Sequence, residues 1–496
     1  MARFEIPEGW VAQAYRYALD LTPSQERACR SHAGGARKAH NMMLALVKAV
    51  MDQRAAERTY GIGQDALTPA LGWSLPALRR VWNARKDTVA PWWAENSKEA
   101  YNTGLDALAR GLDAWLKSRS GERAGPAAGF PRFKTKRDRA SVRFTTGTIR
   151  VEPDRHHITL PRLGSIKTHE STRKLARRVG NGTARILSAT LTRDSAGRWH
   201  VSFQTLVQRT VGVVARPGHA GSGEPIVGVD VGVKAGSLLV VATPGGREVA
   251  RTPAPKSLVA AQARLRALQR RASRQHGPYD PATQAKQRPS KRWQRTHARV
   301  GRTHARAAAV RRDALHKATT ELAQRHAVIT VETLNASGMR AKGGARKRGL
   351  NRALADAALA EFRRMLSYKT TWYGSALVEA DRFYPSSKTC SACGRRKPSL
   401  TLADRDFACE HCGMVLDRDL NAAINLARLG DPPWETGTGT GSRPAASHRV
   451  GDGRGATQKT HPAQAGKAGG REASTRHDTA TGVGQTGTAP PEGEAA

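Results

Sequence analysis

The sequence predicts a multidomain α/β protein, and three observations carry the prediction. Short apolar segments of period two flank a long helical region near the N-terminus. A second series runs strand, hairpin, strand, helix, strand, helix, strand, helix through the C-terminal half. Two C-x-x-C pairs interrupt that series just before its last helix. At 496 residues the chain can bury several cores, so about two to four domains are expected.

The first element is a strand in "AQAYRYALDL". The helix after it is announced by Thr22 as N-cap, Pro23 in the first turn and Gln25 as capping-box partner. Helical patterning continues to about Lys117. Within it Tyr101, Leu105, Leu108, Leu112 and Trp115 share one face and predict a helix-bundle core. Trp82, Trp92 and Trp93 are read as packing residues in the same bundle rather than base-stacking platforms. From Gly129 the pattern changes to short strands with turn signals. "RVEPDRHHITLP" and "ARILSATLTRDSAGRWHVSFQTLV" read as hairpins, the second turning through Ser195, Ala196 and Gly197. One β-rich, barrel-like domain is therefore expected from residues 1–30 and 125–215, with residues 31–124 inserted as helices. A linker, Ala215 to Pro225, closes it.

"IVGVDVGVKAGSLLVVATPGGREVART" then reads as strand, turn, strand, Gly-Gly hairpin and strand. Ser257 to His326 follows as one helical stretch with 17 Lys or Arg against three acids. The strand "AVITVETL" comes next, then the basic loop "RAKGGARKRG" and an amphipathic helix around Leu359, Phe362 and Leu366. "SALVEADRFYP" is a further strand and "DLNAAINLARL" the last helix. Residues 222–388 and 414–430 are expected to form one α/β domain, with residues 389–413 inserted as a cysteine module. After Gly430 no Leu, Ile, Phe or Met occurs, and residues 431–496 are expected to be a disordered tail.

A net charge of +41 and a pI near 11.2 point to a polyanionic partner, because Lys and Arg gain affinity by neutralising phosphates. A membrane partner is disfavoured: no run of about 18 apolar residues exists and no basic amphipathic anchor stands out. The opening "MARFEIPEGW" has no secretory n-region or h-region. Four of the five cysteines form two tight pairs, which predicts metal rather than disulfides, in a reducing compartment. Cys29, the fifth, is expected to be a small buried hydrophobe.

Cys390, Cys393, Cys409 and Cys412 fit C-x2-C-x15-C-x2-C. Paired knuckle turns give tetrahedral thiolate ligation of one zinc with no position left open, so this zinc is structural. Three acids stand at strand ends or a helix start: Asp230 in "IVGVDVGVK", Glu332 ending "VITVE", and Asp419 opening "DLNAAINLAR". The element order is that of an RNase H-like fold, whose sheet brings such acids to one edge. Converging carboxylates repel unless hard divalent cations neutralise them. Two Mg²⁺ ions there would suit phosphodiester cleavage. A helical wheel does not separate Asp419 from Asp417.

"VGVDVGVK", "VITVETLNASGM", "DRFYPSSKTCSACG" and "CGMVLDRDLNAAINLARL" closely resemble the three RuvC-type motifs and zinc ribbon of TnpB proteins, and equally those of miniature type V CRISPR effectors. "GFPRFKTKRD" is similar to a TnpB segment, and the opening residues look like certain small actinobacterial type V-U effectors. The likeness runs from about residue 2 to 430. It implies an RNA-guided DNA endonuclease with a wedge domain, a helical recognition domain and a RuvC nuclease split by the ribbon. It also implies Asp230, Glu332 and Asp419 as magnesium ligands, Asp419 being chosen because the acid two residues before Asn carries that role. A guide RNA and double-stranded DNA are the implied partners, and a prokaryotic cytoplasm, at the nucleoid, the implied setting. Arg270, Arg271, Lys291, Arg292, Arg346, Lys347 and Arg348 are candidate backbone contacts. A guided DNA binder without cleavage and an RNase H-like strand transferase are the alternatives. Guide sequence, flanking motif and oligomeric state stay open.

Overall fold

The computed structural model describes residues 5–136, 138–209, 224–234, 236–275, 277, 279–282, 285–286, 289–341, 347–401 and 404–431. Arg346, most of the linker and all but the first residue of the C-terminal tail lie outside them.

The N-terminal half is built on one antiparallel sheet. Strand β1 (Trp10–Asp20) pairs with β7 (Trp199–Gln208) along most of its length and with β5 (Gly164–Thr168) at its end. With β2 (Ser141–Phe144), β3 (Arg150–Val151), β4 (His157–Leu160) and β6 (Ala184–Arg193) the order is β2-β6-β7-β1-β5-β4-β3. Because β1 belongs to both halves, the layer curls around one core, in which Phe144, Ile158, Ile166, Leu191 and Phe203 are all fully buried. The second hairpin turns where the sequence predicts, with Gly197 at φ +86 between β6 and β7.

The helical insertion starts at α1 (Pro23–Thr59). Thr22 and Gln25 form the expected reciprocal capping box, satisfying two otherwise orphaned donors. The helix serves two cores at once. Cys29 and Ala33 pack into the β core, while Met43, Leu44 and Val47 join Leu78 and Trp82 of α2 (Leu75–Val89). In α3 (Lys98–Arg119) Tyr101, Leu105, Leu108 and Leu112 are buried as their spacing predicts, each contributing roughly 1.5–3 kcal/mol. Trp82 stacks on Tyr101 in that core, whereas Trp92 is 37% exposed.

The short helix α4 (Arg173–Gly180) precedes β6. The C-terminal half then forms a five-stranded mixed sheet. Strands β8 (Ile226–Val231), β9 (Leu239–Ala242) and β10 (Glu248–Thr252) run antiparallel, and β13 (Val328–Glu332) and β14 (Ala376–Ala380) continue parallel to β8. The order is β10-β9-β8-β13-β14. Between β10 and β13 the structure departs from the expected single helical stretch. It forms α5 (Ser257–Ala260), α6 (Gln262–Gln275), the two-residue ribbon β11 (Tyr279–Asp280) and β12 (Ala285–Lys286), and the long helix α7 (Lys291–Arg325). Pro278, Pro281 and Pro289 cannot supply the helix donors that continuity requires. Helices α8 (Ala336–Arg340), α9 (Arg348–Ala357) and α10 (Leu359–Tyr373) follow β13.

A two-stranded ribbon, β15 (Asp406–Ala408) and β16 (Val415–Asp417), leads into α11 (Arg418–Gly430). This last helix lies directly against β8. A Cβ on Gly228 would sit 2.1 Å from the Ala423 carbonyl oxygen and 2.2 Å from the Ala427 nitrogen, so only glycine admits the approach. No helix among the described residues is long and apolar enough to cross a membrane.

Candidate metal centres at the sheet edge

The four cysteines are gathered by two identical turns. Gly394 and Gly413 each follow a C-x-x-C pair and adopt positive φ, +74 and +72, donating backbone N–H back to Cys390 and Cys409. The Cys390 and Cys412 sulfurs lie 3.7 Å apart and those of Cys393 and Cys409 3.6 Å. Four ligands at about 2.3 Å from a tetrahedral zinc would stand about 3.8 Å from each other, so the cage already has the size of the ion. Among the described residues this is the one group of three or more His, Cys, Asp or Glu side chains with ligand atoms all within 4.8 Å of one another.

The acids are assembled differently. Val229 of β8 pairs with Val331 of β13, so Asp230 and Glu332 stand one residue further on, at the same end of neighbouring parallel strands. Helix α11, docked across β8, brings Asp419 to that end from its first turn. Asp230 keeps partial access to solvent at the rim. Burial first, then the Glu332 and Asp419 carboxylates, push its carboxyl well above the usual range, against the pull of Arg418 and Lys234. Burial also raises Glu332, partly offset by a hydrogen bond from the Ser386 hydroxyl.

Asp419 and Asp417 have separate roles. Asp419 is 5% exposed and meets the Lys234 ammonium at 2.5 Å and the Arg418 guanidinium at 3.6 Å. Asp417 is the N-cap of α11: it accepts from the Asp419 and Leu420 N–H groups and from Arg251 at 3.3 Å. Burial opposes ionisation of Asp417, but the Leu420 N–H and Arg251 hold its carboxyl below the ordinary value. Three-dimensional packing thus separates two acids that a helical wheel does not.

Ribbon and acid cluster are joined by side chains that sequence reasoning missed. Buried Asn421 accepts from the Ser391 N–H at 2.9 Å and donates to the Thr389 carbonyl at 2.8 Å. Asn425, one turn on, donates to the carbonyls of Ser386 and Thr389. Ser386 itself holds Glu332, so the loop entering the ribbon orients one acid and the strand leaving it ends on the cap of the helix carrying another. A signal existed: two amides at i and i+4 on an otherwise Ala, Ile and Leu face. Lys234, Ser386 and Arg251 had no comparable signature.

The basic candidates among the described residues lie on or beside α6, α7 and α9. Arg270 and Arg271 are exposed on α6, Lys291 and Arg292 on the first turn of α7, and Arg348 opens α9 with Lys347 just before it.

Three family models match segments of the chain. Residues 360–426 match the Cas12f1-like TNB domain, 221–342 match the family described as "Probable transposase" (OrfB of IS605), and 11–55 match its "Helix-turn-helix domain". That last segment forms a strand and a single helix here. A Mycobacterium tuberculosis protein named "Putative RNA-guided DNA endonuclease" is 42% identical over 95% of this chain and 96% of its own. InsQ of Escherichia coli, given the same description, is 27% identical over 84% of this chain and 92% of its own. A solved Cas12f1–sgRNA–target DNA complex covers 85% of this chain and 99% of that one, at 13% identity and TM-score 0.41. With 42% identity across nearly the whole of both chains, this protein belongs to the TnpB family, the OrfB proteins of IS605-type elements and their miniature type V relatives.

Proposed function

We propose that this protein is an RNA-guided endonuclease that cuts double-stranded DNA beside a short flanking motif, through a RuvC-type site formed by Asp230, Glu332 and Asp419. The observation that carries the reading is the meeting of these three acids at one end of the mixed sheet, in a chain of net charge +41. The strand order β10-β9-β8-β13-β14, with the first three antiparallel, supports the RNase H-like assignment. The relatives named for guided DNA cleavage support the substrate.

The donor set suits hard divalent cations: three carboxylates and no sulfur or imidazole, at a site where Asp230 is pushed up by its neighbours. When bound, a pair of Mg²⁺ ions supplies charge stabilisation to the attacking and leaving oxygens of a phosphodiester. The protein's own part is positional. Asp230 and Glu332 hold their oxygens on two rigid strands and Asp419 closes the set from the helix. Ser386 fixes the Glu332 rotamer, and Lys234 and Arg418 balance the charge on Asp419. Zinc in the four-cysteine cage is structural, because all four positions are thiolate. It stiffens the ribbon from which α11 departs. The β-rich domain serves as wedge and α1 to α3 as recognition lobe. Arg270, Arg271, Lys291, Arg292, Lys347 and Arg348 hold guide and heteroduplex by their backbones, leaving sequence to base pairing.

The test is reconstitution with RNA transcribed from the DNA flanking the gene and a plasmid carrying the matching target. Mg²⁺-dependent cutting that EDTA stops is the expected result. Guided binding without any cutting by the wild-type protein would instead favour a guided repressor.

A further inference from the structure

Asp419 is met by two cations that are themselves held differently. Lys234 donates from Nζ to its Oδ2 at 2.5 Å, and the Arg418 Nε lies 3.6 Å from its Oδ1. Arg418 is anchored a second time, donating Nη1 to the Thr401 carbonyl at 3.0 Å, so its charge is fixed beside the acid. Lys234 has Asp419 as its one carboxylate partner among the described residues. Its ammonium rides on a flexible four-carbon stem, and the side chain is 23% exposed.

The fold aims this lysine. Lys234 lies in the turn between β8 and β9, four residues after Asp230. Gly232 closes that turn. Its N–H donates to the Leu238 carbonyl at 2.9 Å, and a Cβ there would stand 2.7 Å from the Ser237 carbonyl oxygen. Lys256 donates to the Val233 carbonyl. Arg251 donates to the Ser237 hydroxyl at 2.7 Å and to Asp417, the cap of α11, at 3.3 Å. One guanidinium thus ties the turn carrying Lys234 to the helix carrying Asp419.

An ammonium and a divalent cation seek the same carboxylate oxygen, and two cations brought to it repel each other. Asp419 is 5% exposed, so water and salt screen that repulsion little. Of the two cations on Asp419, the singly held ammonium is the one free to move aside. We propose that Lys234 is an internal competitor of the divalent cation: it holds Asp419 Oδ2 and must yield it before the acid cluster takes metal, which raises the metal concentration at which the site fills. The inference rests on the reading that the three acids bind divalent cations.

Mn²⁺ binding to the zinc-loaded full chain, followed by loss of the free-ion electron paramagnetic resonance signal, tests it. Lys234→Met keeps the apolar stem and removes the charge, and should tighten binding roughly tenfold. Adding Asp419→Asn to it should abolish the gain. Lys234→Arg keeps the charge and can fork onto both carboxylate oxygens, so it should bind Mn²⁺ no more tightly than wild type. Damage to the fold weakens metal binding, so it cannot produce the gain. Lys234→Gln supplies the same readout should the methionine variant fold poorly. Equal Mn²⁺ affinity for wild type and Lys234→Met, or an equal gain with Lys234→Arg, would overturn the competitor role alone. Wild-type protein with no Mn²⁺ site that Asp230→Ala removes would overturn the metal-site reading together with it.

Discussion

The four-cysteine ribbon and the three-acid cluster are neighbours built on opposite principles. The ribbon gathers its ligands from 23 residues of local chain, two glycine-closed turns facing each other, and its sulfurs stand at zinc spacing. The acids come from positions 230, 332 and 419, and only the sheet register and the seating of α11 on Gly228 unite them. The first site is closed and soft, the second open and hard. The comparison teaches that one set of ligand-type side chains can be gathered by local spacing, whereas the other must be gathered by the fold. The ribbon's bonds to α11 show how the first helps to build the second.

The sharpest way to break the comparison is to remove an acid. Asp230→Ala or Glu332→Ala should lower guided cleavage about a thousandfold or more, since several kcal/mol of charge stabilisation are lost. Guided DNA binding, measured by gel shift, should be unchanged. Cys390→Ser should act the other way round. It removes a buried ligand from a closed cage, so folding free energy on the order of several kcal/mol is lost with the zinc. Zinc content by mass spectrometry and Tm should fall together, and cleavage should fall because α11 loses its support. Wild-type protein purified without chelator and free of zinc would contradict this.

Gly228→Ala tests the seating of α11. A methyl 2.1 Å from a backbone carbonyl must move the helix, at a cost of roughly 1–3 kcal/mol, and Asp419 moves with it. Lower Tm and lower cleavage with zinc retained is the expected pattern.

The smallest effect is on pH dependence. Asp230 and Glu332 have raised values in the folded protein, so the folded state binds their protons more tightly than the unfolded state. Their stabilising contribution in the metal-free protein is full below the ordinary carboxylate range and is lost as pH rises through the raised values. Asp230→Asn should therefore raise the Tm of chelator-treated protein at neutral pH and leave it nearly unchanged in acid. Equal Tm for variant and wild type at every pH would contradict this.

Much of this was legible before the fold was known. Thr22 and Gln25 cap α1 because capping chemistry is local, and Leu105, Leu108 and Leu112 are buried because helical period is local. The cysteine spacing specified its cage for the same reason. The break between α6 and α7 was written in Pro281 and Pro289, but the surrounding run of Arg hid it. What could not be read were contacts between distant segments: Lys234 on Asp419, Ser386 on Glu332, and Asn421 and Asn425 on the ribbon. Each depends on how segments far apart in the chain pack against one another, which no local pattern encodes.

The most direct measurement compares guided plasmid cleavage by Asp419→Ala and Asp417→Ala at saturating Mg²⁺ and guide RNA. With Asp419 near enough to help raise the Asp230 carboxyl and Asp417 capping the helix, Asp419→Ala should be inactive while still binding its target. Asp417→Ala should keep cutting, with stability reduced by about 1 kcal/mol for a lost N-cap. Cleavage at the wild-type rate by Asp419→Ala, with Asp417→Ala inactive, would contradict the account.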